Sequence, residues 1–291
     1  MSQKINQNWY RLLIPITDAP TDAPKVAAAL RSSLEARDYI PFDPFPGGTG
    51  TPLGLTSMVR LFVAPPQDGW VVVLGEYPEN LIDNVSRELD SPVLYGWLTE
   101  TEGGFALFEG STRRDDPAAF DRYLRRGQSD DILRRAFAGE LKVEAVDSDK
   151  PPVAVLGADA LPPELRQMAE DQGADPVKAG KMFERISGTL LNRLGGGAGK
   201  EEQEQARAMI MGGGGMDVWN SLKGQRVRAI AGVLNLPGNW RLPSLQAVRD
   251  AYQVHRLRQR SPRLALMPGD REVMQAVPDA LEYVPVYMGH K

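Results

Sequence analysis

One continuous stretch, from Met58 to Gly110, most constrains what this chain can fold into. It contains MVRLFVAP, WVVVLG, ENLIDNVSRELD, PVLYGWLT and GFALFEG in succession, with little between them. Short runs of β-branched and aromatic residues bounded by turn residues indicate strands, whereas the apolar residues of the third segment recur at helical spacing. The stretch therefore predicts the order strand, strand, helix, strand, strand.

The residues before this stretch supply a first strand and helix for the same layer. Trp9 to Ile16 is a nearly continuous apolar run, which predicts a strand, and Asp22 with Pro24 marks the start of a helix. The order is then β-α-β-β-α-β with one extra strand, which is the ferredoxin-like arrangement of an α+β fold. A curved antiparallel sheet of an immunity-type or adaptor domain fits the same order, and both alternatives stay open.

A chain of 291 residues is long enough for two domains, and its pattern changes along its length. Residues 1–146 are predicted to form the α+β domain, which closes with two helices that begin at Asp116 and Ser129. Residues 147–163 are rich in proline and are predicted to be a linker. Residues 164–291 show helical patterns and are predicted to form a second, mostly helical domain.

Two glycine clusters, at 195–199 and 212–215, interrupt the predicted helical domain. Glycine runs disfavour helix and strand because their backbone loses much entropy on ordering. We therefore expect hinges on either side of the segment Glu201 to Met211. The first cluster reads GGGAGKE, but its spacing is one residue short of a phosphate-binding loop, and Glu201 stands where a magnesium-binding Ser or Thr is needed.

The largest electrostatic feature is a basic segment from Trp219 to Ala265, with nine Lys or Arg residues and one acid, Asp250. Residues 1–150 hold 16 basic and 23 acidic residues, so the first half of the chain is acidic. The basic segment spans two predicted helices, about Ser221 to Leu236 and Pro243 to Arg260. Such a cation excess fits phosphates, an anionic protein surface or the acidic half of the same chain, and these alternatives stay open.

The two predicted basic helices carry their charges differently. In the first helix, Leu222, Ile230 and Val233 define the predicted apolar face, and Arg226 points into the middle of it. A buried or interface arginine needs an acidic or anionic partner, so we expect Arg226 to have one. In the second helix, arginines line a stripe beside the apolar one: Arg249, Arg256 and Arg260.

The connection from Asp38 to Thr56 is long and rich in proline and glycine. Loops of this length are uncommon in compact domains and are either functional or disordered. Phe42 and Phe45 argue against disorder. We therefore expect the loop to form a binding surface or, in an enzyme, a lid.

Residue types that carry chemistry are sparse. The chain has no cysteine, and its two histidines, His255 and His290, are too few for a histidine-rich metal site. The clusters of Asp and Glu stand where helix caps or solvated turns explain them. The sequence therefore favours a cofactor-free protein that acts by binding, and an enzyme with an active site between the two domains is the alternative.

The amino terminus and the absence of cysteine both bear on location. MSQKINQNWYRLLIPI lacks the long apolar core of a signal peptide, and no apolar run approaches the roughly 18 residues that a membrane span needs. A cysteine-free composition fits a reducing compartment. We expect a cytoplasmic protein that does not enter a membrane.

Together these observations favour a binding or adaptor protein that engages a protein partner or an anionic ligand through its basic helices. Nucleic acid is the alternative partner, because aromatic residues beside cations can stack on bases. The candidate binding residues are aromatic residues of the loop and arginines and aromatic residues of the basic segment: Phe42, Phe45, Arg226, Arg228, Trp240, Arg249, Tyr252, Arg256 and Arg260.

Overall fold

The structure is a computed structural model that describes residues 8–16, 21–144, 218–263, 266 and 269–291. The chain divides into two compact units. The larger unit consists of Asn6–Val143 and Leu222–Lys291, and the smaller of Met1–Ile5 and Glu144–Ser221. The predicted linker and both glycine clusters lie outside the described residues, so the hinge prediction stays a prediction.

Strands of the larger unit form one antiparallel sheet. In chain order they are β1 (Trp9–Pro15), β2 (Ile40–Pro41), β3 (Ser57–Val63), β4 (Trp70–Leu74), β5 (Val93–Leu98), β6 (Gly103–Glu109), β7 (Thr112–Arg114) and β8 (Val284–His290). Across the sheet the order is β2-β8-β3-β4-β1-β5-β6-β7. The most continuously apolar strands, β4 and β1, therefore lie at the centre, as the sequence predicts.

Two helices, α1 (Ala23–Glu35) and α2 (Ile82–Leu89), cover one face of the sheet, called here the first face. The helix α1 begins where the sequence predicts, because the Asp22 carboxylate accepts a hydrogen bond from the Lys25 backbone N at 2.9 Å. Leu30 of α1 and Val85 of α2 pack with Leu12 of β1 in a core without exposed surface. Apolar packing therefore holds this layer together.

The opposite face, called the second face, is covered by elements from distant parts of the chain. Among them, α4 (Leu222–Val233) contacts β5 and β6, and α5 (Leu245–Arg260) contacts β3. The helix α3 (Asp130–Ala138) packs on α4, and α6 (Asp270–Ala276) packs on α5. Phe62 of β3 and Leu74 of β4 share a buried cluster with Val248 and Tyr252 of α5. Residues from both ends of the chain thus close the second layer.

A buried arginine, Arg11 of β1, fastens the turn between α4 and α5 to the second face. Its guanidinium donates hydrogen bonds to the carbonyls of Arg241 at 3.0 Å and Pro243 at 2.7 Å, and lies 5.5 Å from the ring centre of Trp9. Burial lowers the pKa of Arg11. On the neighbouring strand, the indole N–H of Trp70 donates to the Asn235 carbonyl at 2.8 Å. Polar anchors therefore add to apolar packing on this face.

The last strand, β8, lies inside the sheet between β2 and β3. The sequence predicts an extended tail from Tyr283 to Tyr287, and this is confirmed, but local pattern does not reveal its position. Val59 pairs with Met288 and Leu61 with Val286. Residues on both sides of the predicted linker thus share one sheet and one unit, and the division into an α+β domain and a separate helical domain is not confirmed.

The mixed α+β class is confirmed, whereas several elements differ from expectation. The segment after Asp116 is a 3₁₀ helix, Pro117–Tyr123, and β2, β7 and α6 were not predicted. The helix capped by Ser129 is confirmed, because its hydroxyl accepts from the Ile132 N at 3.4 Å. Within the described part of the chain, every helix is too short or too polar to cross a membrane.

Candidate functional site

The structure brings the Asp38–Thr56 loop onto the basic helix α5. Ser244 caps this helix, since its hydroxyl accepts from the Ala247 N at 3.1 Å. Val248, Ala251 and Tyr252 form its buried stripe, so the arginines at neighbouring positions stand at the margin of the packed face.

Asp43 holds the loop in place. Its carboxylate accepts from the Phe45 N at 3.0 Å, and its second oxygen lies 3.3 Å from the Arg256 guanidinium. The Asp43 N donates to the Thr49 hydroxyl at 3.0 Å. Arg256 also donates to the Pro46 carbonyl at 3.4 Å. One carboxylate therefore shapes the loop and joins it to α5.

The two loop phenylalanines are part of an aromatic cluster. Phe45 lies 4.7 Å from Tyr252, 5.8 Å from Phe62 and 5.2 Å from Tyr287, measured between ring centres. Phe42 contacts Tyr287 edge-on at 5.8 Å. Phe42 and Phe45 are buried, so they anchor the loop and do not themselves form an exposed binding surface.

Gly47 shows how closely the loop approaches the end of α5. Its φ is +86°, in the left-handed region, and a Cβ there would lie 1.1 Å from a guanidinium nitrogen of Arg260. A side chain at this position would displace Arg260 and strain the turn. The loop and the arginine stripe thus fit each other at close range.

A cleft of about 260 Å³ opens between the aromatic cluster, β3 and α5. Arg60 of β3 and Arg249 of α5 line it together with Gln253 and Tyr287. Arg60 and Tyr287 are directly opposite each other in the β3–β8 pair. Arg60 is exposed, and Arg249 forms an ion pair with the Asp250 carboxylate at 3.1 Å. We call this the basic cleft.

Tyr287 carries a buried polar atom at the basic cleft. Only 6% of the residue is exposed, and among the described residues its hydroxyl has no hydrogen-bond partner. Burial raises the pKa of Tyr287 to about 12, while Arg249 and Arg60 act in the opposite direction. The hydroxyl is therefore protonated at neutral pH and near two guanidinium groups. Buried hydroxyls are normally hydrogen-bonded, so an acceptor at this point would complete the site.

A second cleft, of about 470 Å³, lies on the other side of Phe42 and Phe45 and also reaches Tyr287. Its charged lining is mixed, with Arg31, Glu35 and Asp43. Arg31 already donates to the Pro285 carbonyl at 2.7 Å. This contact satisfies the Pro285 carbonyl at a point of β8 that β2 does not reach. Its larger volume therefore does not make it the better candidate for an anion.

The structure collects six of the nine candidate residues around the loop and α5 and places the other three elsewhere. The six are Phe42, Phe45, Arg249, Tyr252, Arg256 and Arg260. Trp240 packs edge-on against Trp9 at 5.4 Å, and Arg228 lines a separate cleft beside it. Tyr252 is buried and faces the cluster, which leaves its ring covered.

The predicted position of Arg226 within a packed apolar face was wrong, and its anionic partner stays a prediction. Arg226 is exposed, and Leu222, assigned to the apolar face, is 85% exposed. The predicted Ile230 and Val233 are buried, together with Val227 and Ala231. Leu222 and Arg226 lie on the same side in the earlier turns of α4, so the predicted face is packed only in its later turns.

Arg60 and Tyr287 are the residues of the site that sequence reasoning missed. Arg60 was visible as an interruption of the apolar run in β3, which is typical of a position facing solvent. Tyr287 was visible only as part of an apolar tail. Their pairing joins segments more than two hundred residues apart, and no local pattern predicts such a contact.

The described residues contain no group of three or more His, Asp or Glu side chains placed to hold a metal ion. The polar groups that converge at the basic cleft are guanidinium, amide and hydroxyl donors. Comparison of the chain with protein-family models, with curated proteins and with solved structures finds no match. Functional inference therefore rests on the geometry of the site.

Proposed function

We propose that this protein acts by binding, and that its basic cleft receives a carboxylate from an acidic segment of a protein partner. The observation that carries the proposal is the arrangement of Arg60 and Arg249 around the buried Tyr287 hydroxyl. A carboxylate has acceptor oxygens for both guanidinium groups and for the hydroxyl at once.

The local charges support an anionic ligand. The charged residues of the basic cleft and of the contact between the loop and α5 include four arginines, Arg60, Arg249, Arg256 and Arg260, and two carboxylates, Asp43 and Asp250. Arg256 is paired with Asp43, and Arg249 is paired with Asp250, which also accepts from the Gln246 amide at 2.6 Å. Excess positive charge remains at Arg60, which is exposed, so an incoming anion meets an attractive field.

The shape of the cleft supports a side chain from a protein over a nucleic acid. The aromatic residues of α5 and the loop are packed into the core, so they offer no open ring face for stacking on a base. A volume of about 260 Å³ suits one or two acidic side chains. Specificity would come from the donors, and affinity from the partner's wider contact surface.

The test is binding of a fluorescein-labelled oligoglutamate peptide, measured by anisotropy across a salt series. We expect Arg60→Glu with Arg249→Glu to reduce affinity at least tenfold, because two donors become two repelling charges. The matched control, Arg226→Glu with Arg126→Glu, makes the same change of net charge at exposed positions and should retain affinity within about twofold.

Two results would overturn the proposal. Equal losses in the two double variants would show that only net charge matters. Tighter binding of labelled single- or double-stranded nucleic acid than of the peptide, lost in the Arg60 and Arg249 variant, would assign the cleft to phosphates.

We also propose a ferredoxin-like classification for the centre of the fold and a cytoplasmic location. The order β3-β4-β1-β5, with α1 and α2 on the same face, supports the first. The cysteine-free sequence supports the second.

A further inference from the structure

Three aromatic side chains lie at a corner of the first face, across the sheet from the basic cleft. Tyr10 of β1 is directly opposite Trp97 of β5, and the rings of Tyr95 and Trp97 stack with centres 5.2 Å apart and planes 20° apart. Tyr10 and Trp97 are half-buried, so part of each ring faces solvent. We call these three residues the aromatic corner.

Gly104 holds Trp97 flat against the sheet. It pairs with Trp97 across β5 and β6, and a Cβ at Gly104 would lie 3.2 Å from the indole ring. A larger residue would lift the indole away from this position. The ring therefore has a fixed orientation, which lowers the entropy that a ligand contact would cost.

Exposed carboxylates surround the aromatic corner. Glu76 follows Gly75, whose N donates to the Tyr10 carbonyl at 3.4 Å. Glu102 closes the β5–β6 hairpin, where its carbonyl accepts from the Thr99 N at 2.7 Å. Both residues are exposed. In the described part of the chain neither carboxylate forms an ion pair, whereas nearby Glu79 is bound to Arg113 at 2.7 Å.

The titration of the tyrosines agrees with this placement. Burial raises the pKa of Tyr10, and Glu76 and Glu102 raise it further. Burial also raises the pKa of Tyr95, followed by Glu79, Tyr10, Glu76 and Glu102. Apart from Tyr10 itself, the ionisable side chains that raise these two pKa values are thus all carboxylates.

We propose that the aromatic corner binds the cationic side chain of a basic segment in a protein partner. A guanidinium or ammonium group is attracted by the electron-rich faces of indole and phenol rings, and Glu76 and Glu102 stand where they can pair with it. An anionic ligand would be repelled by the same carboxylates. A purely apolar partner would desolvate them without compensation.

This site is independent of the basic cleft. It lies on the opposite face of the sheet and on other strands, β1, β5 and β6. The aromatic corner would attract a cation, whereas the basic cleft would attract an anion. Its failure would leave the proposed function untouched, and the reverse also holds.

The test is anisotropy of a fluorescein-labelled oligoarginine peptide with the full chain. We expect Glu76→Gln with Glu102→Gln to weaken binding at least about fivefold, since both carboxylates lose their charge. The control Glu88→Gln with Glu282→Gln makes the same change of net charge at other exposed positions and should change affinity less than about twofold. The Arg60→Glu and Arg249→Glu variant should bind this peptide at least as well as the native chain.

A second variant separates the rings from the charges. Tyr10→Leu, at a half-buried position, should weaken oligoarginine binding about threefold with both carboxylates in place. Tyr10→Phe keeps the ring and should bind as the native chain does. Three results would overturn the proposal. The first is no binding of oligoarginine by the native chain. The others are equal affinity of the Glu76→Gln, Glu102→Gln variant and its control, and Tyr10→Leu binding the peptide as well as Tyr10→Phe does.

Discussion

The two faces of the sheet are covered in different ways. On the first face, α1 packs mainly against β8 and β3 and α2 against β5 and β6, and leucine, valine and alanine side chains of the two helices fill the contact. On the second face, α5 and the loop come from opposite ends of the chain and meet through aromatic rings and an Arg256–Asp43 pair. Aliphatic packing thus closes the first layer, whereas aromatic rings and an ion pair close the second.

This difference explains where the clefts lie. Short apolar side chains on consecutive helices interdigitate and leave little space between layers. A loop and a helix joined by bulky rings and charged groups leave gaps at their margins, and the basic cleft is one of these. The second face is therefore the one on which a partner can reach buried polar groups.

The largest expected loss of stability comes from a substitution in the core of the first face. Leu30 of α1 has no exposed surface, and Leu30→Ala should lower the free energy of unfolding by about 2–5 kcal/mol through lost burial and the cavity it leaves. Urea denaturation would measure it. Oligoglutamate affinity should be unchanged while the variant is folded, and a lost affinity would show that the two faces are coupled.

The anchor of the second face should give a smaller effect. Arg11→Met removes the donor to the Arg241 and Pro243 carbonyls, and we expect a loss of about 1–3 kcal/mol, measured by the same denaturation. Tryptophan fluorescence should also change, because the Arg11 guanidinium lies over Trp9. A variant as stable as the native chain would mean that desolvation of the guanidinium offsets its hydrogen bonds.

Alkaline pH should weaken the fold progressively, because burial raises the pKa of tyrosines on both faces, including Tyr77 and Tyr95 of the first. Burial raises the pKa of Tyr283 and Tyr287 to about 12, above the value of about 10 in an unfolded chain. Between these values the folded state holds more protons, so stability is full below pH about 10 and falls as pH rises toward 12. Each tyrosine contributes about 1 kcal/mol per pH unit in this window. Urea midpoints at rising pH would measure the decline, and a flat profile would contradict it.

Much of the fold could be predicted from the sequence where structure depends on neighbouring residues. The apolar runs predicted the strands Trp70–Leu74 and Val93–Leu98 with their observed bounds. Asp22 and Ser129 correctly predicted the starts of two helices. Each depends on side-chain alternation or on a cap within three residues of its partner. Such signals lie entirely within a short segment of the sequence.

The rest could not be predicted, because it depends on pairings between distant segments. The position of β8 in the sheet is set by β3, more than two hundred residues away, so no window contains both partners. The candidate site shows the same limit. Arg249, Arg256 and Phe45 were identified by composition, whereas Arg60 and Tyr287 become a site only through that pairing.

The most direct test of the account replaces Tyr287 by phenylalanine and measures oligoglutamate affinity. The hydroxyl has no hydrogen-bond partner among the described residues, so its removal should leave folding stability unchanged or slightly increased. If it donates to the bound carboxylate, affinity should fall about fivefold or more, whereas Tyr283→Phe, a buried tyrosine outside the basic cleft, should have no effect on affinity. Native affinity in Tyr287→Phe would contradict the proposed site.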